Sequence, residues 1–424
     1  MKVLLLGSGG RESALAWALD RSGSVDDLIA APGNPGIAQL ATTRPCDIGS
    51  ADDVVTLARE FGAGLVVIGP EAPLVAGVGD ALRAEGFPTF GPDRAAARIE
   101  GSKEYAKEMM DRAGIPTAGW AAFSEVGAAV SYLDEHEPPF VIKADGLAAG
   151  KGVTVTSSRD EAVDAIEERL VHRAFGSAGE RVVIEEFLDG QECSLIAFTD
   201  GKAIAPCAPA QDYKRIGNAD RGPNTGGMGS YSPVPACPDD LAQRILEEVM
   251  RPMVDETREA GAPFQGALYA GLALTSRGPR VIEFNARFGD PETQALMPRV
   301  DFDLGEVCLA AATGGLEGAR LAWRPEACVS VVLAARGYPG TPEKDMLITG
   351  LDEAAALPGV QVFHAGTRAT SEGIVTAGGR VLAVSALGKD FADARTLAYA
   401  GADSIRFDGK QMRTDIARRA EEAQ

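Results

Sequence analysis

The sequence predicts an α/β fold: an N-terminal doubly wound parallel sheet, a middle region with a lid-sized subdomain, and a C-terminal α/β unit. Three observations predict it. Short apolar strands alternate with helical segments over the first hundred residues, as they do in parallel sheets. The run Ala113-Gly114-Ile115-Pro116 breaks that pattern. The length of 424 residues suggests about three domains at roughly 150 residues each. The expected divisions are 1–104, 105–320 and 321–424, with the lid at about 117–190.

Each element follows from local pattern. Val3–Leu6 reads as a buried strand, Glu12–Arg21 as a helix, and Leu28–Ala31 as the second strand. Asp52–Phe61 is the second helix, Leu65–Ile68 the third strand, and a further helix is expected over 101–113. The next region offers strands at Phe140–Lys143, Val153–Thr156 and Arg181–Phe187, with a helix near Asp160–Leu170. Gln211–Pro235 is a long polar stretch expected to be an ordered loop, and loops of that length usually have a functional reason. Gly266–Thr275 and Arg280–Asn285 form a hairpin turning at Ser276-Arg277-Gly278-Pro279. Strands at Val329–Ala334, Val362–His364 and Arg380–Ser385 and a helix at Asp390–Ala400 complete the chain, without internal repeat.

Composition narrows the function. Apolar residues make up 45% and charged residues 24%, which suits a globular protein. The net charge of −20 argues against a nucleic-acid partner, which needs a basic face. It leaves anionic small molecules open, because a few Lys, Arg and backbone N–H groups bind phosphate locally. The six cysteines include no CxxC pair, and the three histidines lie far apart, so neither disulfides nor a zinc site is expected. The opening apolar run is too short for a signal segment, and no apolar run of about 18 residues exists. The expectation is a cytoplasmic protein with no membrane partner.

Four motifs carry chemistry. Gly7-Ser8-Gly9-Gly10-Arg11-Glu12 links the first strand to the first helix. It is either a tight turn or a phosphate site at a helix N-terminus. A dinucleotide site disagrees with it, since Glu12 stands where the third glycine belongs and Ala30-Ala31-Pro32-Gly33-Asn34 supplies no acidic ribose ligand. Lys143 ends a strand and precedes Ala144-Asp145-Gly146-Leu147-Ala148-Ala149-Gly150-Lys151-Gly152. This is not a P-loop, but ammonium groups beside a glycine loop suit a polyphosphate. Glu185-Glu186-Phe187-Leu188 ends another strand, where the backbone after Glu186 could meet an adenine and Glu192 a ribose; a plain strand with exposed carboxylates is the other reading. Glu283 and Asn285 stand two apart on a strand, hence on one face, with Arg287 continuing it. Carboxylate and amide oxygens are hard ligands that suit Mg²⁺ bridging phosphates.

Taken together, Lys143 with its loop, Glu185 to Leu188 and Glu283-Phe284-Asn285 resemble the ATP-grasp order of lid, hinge and metal strand. The chain is similar, more narrowly, to the glycinamide ribonucleotide synthetases. The strings that carry this are Gly9-Gly10-Arg11-Glu12, Gly69-Pro70-Glu71-Ala72-Pro73-Leu74, Gly222-Pro223-Asn224-Thr225-Gly226-Gly227-Met228-Gly229 and Asn285 to Glu292. Gly337-Tyr338-Pro339-Gly340 and Phe363-His364-Ala365-Gly366-Thr367 extend it over the whole chain.

The resemblance implies an ATP-grasp core with a mobile lid and an ATP-dependent, ADP-forming ligase of purine biosynthesis using Mg²⁺ or Mn²⁺. It implies that glycine is joined to 5-phosphoribosylamine through glycyl phosphate, by a monomer. It implies ATP contacts from Lys103, Lys143, Gly150, Lys151, Gly152, Glu185, Glu186, Phe187, Leu188 and Glu192. Substrate contacts would come from Gly9, Gly10, Arg11, Glu12, Pro70, Glu71, Asp212, Gly226, Gly227, Met228 and Asp290. Glu283 and Asn285 would hold metal, and Lys143 and Arg287 would serve catalysis. Two positions depart from the family pattern. Ser13 stands where a His is usual, and Gly271 where many ATP-grasp enzymes carry a further metal-binding carboxylate.

Overall fold

The computed structural model describes residues 1–147, 152–174 and 176–423, with residue 177 described by its backbone alone. Strands β1 (Lys2–Gly7), β2 (Asp27–Pro32), β3 (Thr42–Thr43), β4 (Leu65–Ile68) and β5 (Thr89–Phe90) form one sheet in the order β3-β2-β1-β4-β5. All its pairs are parallel. Val3, Leu4, Leu5 and Leu6 are fully buried, as expected where helices cover both faces of a parallel sheet. The strand order reverses between β1 and β4, so a crevice opens beyond their carboxyl ends. Gly7 to Glu12 and Gly69 to Glu71 both follow those ends and meet there.

The helix expected over 101–113 is Lys103–Ala113, and a separate helix, Arg94–Gly101, precedes it. Ser102 separates them in an extended conformation (φ −145°, ψ 119°), and its side chain accepts from the Tyr105 N–H. A serine N-cap satisfies an orphan donor of the new helix, which explains the break.

Four strands form the antiparallel sheet of the lid-sized region: β6 (Trp120–Phe123), β7 (Phe140–Ala144), β8 (Val153–Thr156) and β9 (Val182–Glu186), ordered β6-β9-β7-β8. Helices Val126–Asp134 and Arg159–Leu170 pack on it. Leu133, Phe140, Ile142, Ile166, Val182 and Ile184 make a small core separate from the two larger ones.

The long polar stretch is not a loop. After β10 (Gln191–Asp200) and β11 (Ile204–Pro206) come four short strands, β12 (Gln211–Asp212), β13 (Arg215–Gly217), β14 (Arg221–Asn224) and β15 (Gly229–Ser232). The hairpin partners β16 (Gln265–Thr275) and β17 (Gly278–Asn285) follow, with β17 starting two residues earlier than expected. Then come β18 (Ala327–Ala334), β19 (Val360–His364), β20 (Thr367–Thr370), β21 (Gly373–Thr376) and β22 (Arg380–Gly388). One sheet runs β11-β10-β16-β17 and another β12-β15-β18-β22-β19. Gly229–Ser232 is thus buried against a strand a hundred residues away, which no local pattern announces. β13 pairs with β14 and β20 with β21 as two-stranded ribbons. Among the described residues no helix is long and apolar enough to cross a membrane.

Candidate active site

A cleft of about 660 Å³ lies where the first sheet, the lid-sized sheet and the two later sheets converge. The helix Lys103–Ala113 lines one wall through Lys103, Ala106, Lys107 and Met110. These stand at i, i+3, i+4 and i+7, one face of a helix. β7 contributes Val141 and Lys143, β9 contributes Glu185 and Glu186, and Phe187, Leu188 and Glu192 follow.

Lys143 is buried, and its ammonium donates to Glu185 at 2.9 Å and to the Ile282 carbonyl at 3.1 Å. Burial pushes the Glu185 carboxyl up, but Lys143 and Lys107 outweigh it and hold it below its ordinary range. Its carboxylate is set between the two lysines and lines the cleft. Lys103 donates to the Gly146 carbonyl at 3.0 Å, tying the helix to the start of the glycine loop. Burial lowers its pKa, with Glu283 pulling the other way. Glu186 is exposed and paired with Arg277. Gly152 lines the cleft, while Gly150 and Lys151 lie outside the described residues.

β17 delivers Glu283 and Asn285 to the cleft. Burial raises the Glu283 pKa, but Lys214, Lys143 and Lys103 bring it below normal, so it is a carboxylate facing three ammonium groups. Gly271 pairs with Glu283 across the hairpin. A Cβ there would stand 3.4 Å from the Glu283 Cγ, so the glycine leaves this side chain room. Among the described residues no group of three His, Cys, Asp or Glu side chains is placed to hold a metal alone.

Asp212 and Lys214 project from the next strand region, with Lys214 Nζ 3.7 Å from Asp212 and 3.5 Å from Glu192. Burial raises the Asp212 carboxyl to about 7; Lys214 opposes this, and Glu292, Glu192 and Glu283 add to it. Glu292 is buried and accepts from the Tyr269 hydroxyl at 2.8 Å and from the Ser194 hydroxyl at 3.1 Å.

The opposite end of the cleft is rich in arginine. Arg287 lies 2.7 Å from Glu100, 3.4 Å from Glu71 and 3.4 Å from the Asn285 side-chain oxygen. Arg380, from β22, donates to the Asp290 carbonyl at 2.9 Å and lies 3.1 Å from its carboxylate. Arg11 is buried beside Glu12 at 2.6 Å and donates to the Phe288 carbonyl at 3.2 Å.

The structure brings Arg11, Glu71, Asp212, Gly226 and Asp290 to the cleft lining. It does not bring Gly9, Gly10, Glu12, Pro70, Gly227 or Met228 there. The reason is local. The Gly9 N–H donates to the Glu12 carboxylate at 2.7 Å, so that donor is already satisfied. Added Cβ atoms at Gly7 and Gly69 would run into the same buried carboxylate, so both glycines make room for Glu12. Gly227 packs on Pro291, and Met228 is fully buried. Ser13 faces away from the cleft, donating to the His364 carbonyl at 2.7 Å. Residues the sequence reading missed are Lys107, Glu100, Lys214, Glu292 and Arg380. Helical spacing from Lys103 could have found Lys107. Nothing local marks Arg380.

Three family models cover the chain, all described as phosphoribosylglycinamide synthetase: the N domain over residues 1–100, the ATP-grasp (A) domain over 101–293 and the C domain over 328–419. The phosphoribosylamine–glycine ligase of Rhizobium meliloti is 50% identical over 420 residues, covering 99% of each chain.

The chain belongs to the phosphoribosylglycinamide synthetase family.

The Streptomyces coelicolor ligase of the same description is 51% identical over 423 residues, again covering 99% of each chain. Among solved structures, the family's phosphoribosylamine–glycine ligase from Thermotoga maritima superposes with a TM-score of 0.85 at 34% identity, covering 98% of this chain and 100% of that one. A biotin carboxylase–β,γ-ATP complex from Campylobacter jejuni gives 0.74 at 14% identity over 97% and 92% of the two chains, a likeness of fold alone. The ATP-grasp architecture is thus established for this member of the family, with a parallel N-terminal sheet before it and the C-terminal strands in an antiparallel sheet that β12 and β15 join.

Proposed function

We propose that the cleft binds ATP along Lys103, Lys143 and the Glu186–Leu188 backbone, and anionic 5-phosphoribosylamine at the arginine end. The chain joins glycine to 5-phosphoribosylamine, an ATP-dependent step of purine biosynthesis. The observation that carries this reading is the full-length identity to phosphoribosylamine–glycine ligases, together with a cleft that sets three lysines around Glu283 and Asn285. Lys151, outside the described residues, joins the phosphate contacts in this reading, and the chain works as a monomer.

The chemistry divides between substrates and protein. A glycine carboxylate oxygen attacks the γ-phosphorus, the bond to the β–γ bridging oxygen breaks, and ADP leaves. The amine nitrogen of phosphoribosylamine then attacks the carbonyl carbon of glycyl phosphate. The carbon–oxygen bond to phosphate breaks, and the nitrogen loses a proton. Lys103 and Lys143 hold phosphate charge, and Lys214 lies beside Glu192 and Asp212. No side chain need act as nucleophile, because positioning and charge stabilisation suffice for phosphoryl transfer. Glu283 and Asn285 would hold Mg²⁺ or Mn²⁺, which supplies charge neutralisation at the phosphates. The separate core at 120–186 supports its role as a lid that excludes water from the acyl phosphate.

The test is product analysis. Turnover requires ATP, glycine and phosphoribosylamine together and yields ADP and phosphate; AMP and pyrophosphate would reject the reading. Hydroxylamine added with ATP, glycine and an inert phosphoribosylamine analogue should give glycine hydroxamate. An active enzyme yielding none would point to a concerted transfer.

A further inference from the structure

Lys107 is an unused cation. It lies on the cleft-facing stripe of its helix, yet it is only 2% exposed and none of the motifs includes it. A buried ammonium is costly unless paired. Lys107 Nζ lies 3.2 Å from Glu185 and donates to the Thr117 hydroxyl at 2.7 Å. That hydroxyl donates to the Val281 carbonyl at 2.7 Å, on the strand that carries Glu283. Lys143 meets the same Glu185 at 2.9 Å and the neighbouring Ile282 carbonyl at 3.1 Å. One carboxylate therefore serves two ammonium groups, and each ammonium is pinned to β17.

The charge balance decides what this does. With Lys143 alone, Glu185 would form a neutral pair, and that pair would offer an incoming phosphate no net charge beyond Lys103. Burial brings the Lys107 pKa down to about 8 with Glu185 opposing, so below that pH the triad carries one excess positive charge. Glu185 can then stay paired to Lys107 while Lys143 turns to a phosphate. We infer that Lys107 is a positioning residue for nucleotide binding, holding Glu185 so that the Lys143 ammonium is available to a phosphate. This rests on the reading of Lys143 as a phosphate contact.

The experiment measures the Kd of Mg-ATP by calorimetry on the full chain, in a cycle with Glu185. Lys107→Met should weaken binding by about tenfold. Lys107→Arg should recover most of the loss, and KM for glycine should move by less than about twofold. In the Glu185→Gln background the same Lys107→Met change should cost under about twofold, because the anion it balances is gone. Melting curves check that each variant is folded, and Lys107→Gln gives the same comparison should Lys107→Met not fold. Equal losses in both backgrounds, or an unchanged Kd in folded Lys107→Met, would overturn the inference. Wild-type chain that does not bind Mg-ATP would instead overturn the nucleotide reading itself.

Discussion

Arg287 offers the sharpest separation of structural from chemical roles. Its guanidinium sits between Glu100 at 2.7 Å and Glu71 at 3.4 Å, and Glu100 is 8% exposed. Burial already raises the Glu100 carboxyl above its ordinary range even with Arg287 opposing, while the same arginine, with Arg11, holds Glu71 below its own. Arg287→Met would leave two carboxylates facing each other with their main counter-ion gone. Removing one partner of a buried pair costs about 3–5 kcal/mol, and the part-exposed Glu71 adds little. Denaturant melts at pH 8 should show that loss. The loss should shrink as the pH falls, because a carboxyl with a raised folded pKa binds its proton more tightly folded than unfolded, so acid favours the folded variant. The double variant Arg287→Met with Glu100→Gln should regain most of the stability at pH 8 and none of the ligase activity. Full stability of the single variant at pH 8 would refute the buried-pair reasoning. Recovery of activity in the double variant would show that Arg287 only balances Glu100.

Two further predictions follow from the cleft. Glu283→Gln keeps the side chain's shape but removes a charge from the metal position, so kcat should fall on the order of 10²-fold in protein that still folds, with some stability lost at neutral pH because three ammonium groups lose their carboxylate; near wild-type turnover at saturating Mg²⁺ would contradict the assignment. Asp212→Asn should stabilise the chain relative to wild type above about pH 7, where the native carboxyl is charged, with the gain fading as pH falls towards the ordinary aspartate range; a stability difference independent of pH between 4 and 8 would count against the raised pKa.

Local pattern was enough for the elements and motifs that are contiguous in sequence. Val3–Leu6 and Leu65–Ile68 are runs whose uniform apolarity is what a parallel strand covered on both faces requires. Glu283 and Asn285 share a face because strand side chains alternate with a period of two, whatever the surroundings. Lys143 was legible as a buried strand-end lysine facing the cleft, because its strand is a contiguous apolar run.

Other features exist only because distant segments meet. Gly229–Ser232 reads as loop and becomes a buried strand through its pairing with β18. Gly7-Ser8-Gly9-Gly10 reads equally as a tight turn or a phosphate site, and only the fold shows the Glu12 carboxylate beside Gly7 and Gly69 and accepting from the Gly9 N–H. Arg380 reaches Asp290 across ninety residues, and Lys107 reaches Lys143 only through Glu185. The sequence by itself determined which groups are available and which face of each helix or strand they share, because those follow from backbone periodicity. Tertiary structure decided which charges are paired, buried or left free for a substrate, because Coulomb energy and desolvation depend on distances between segments that no local spacing encodes.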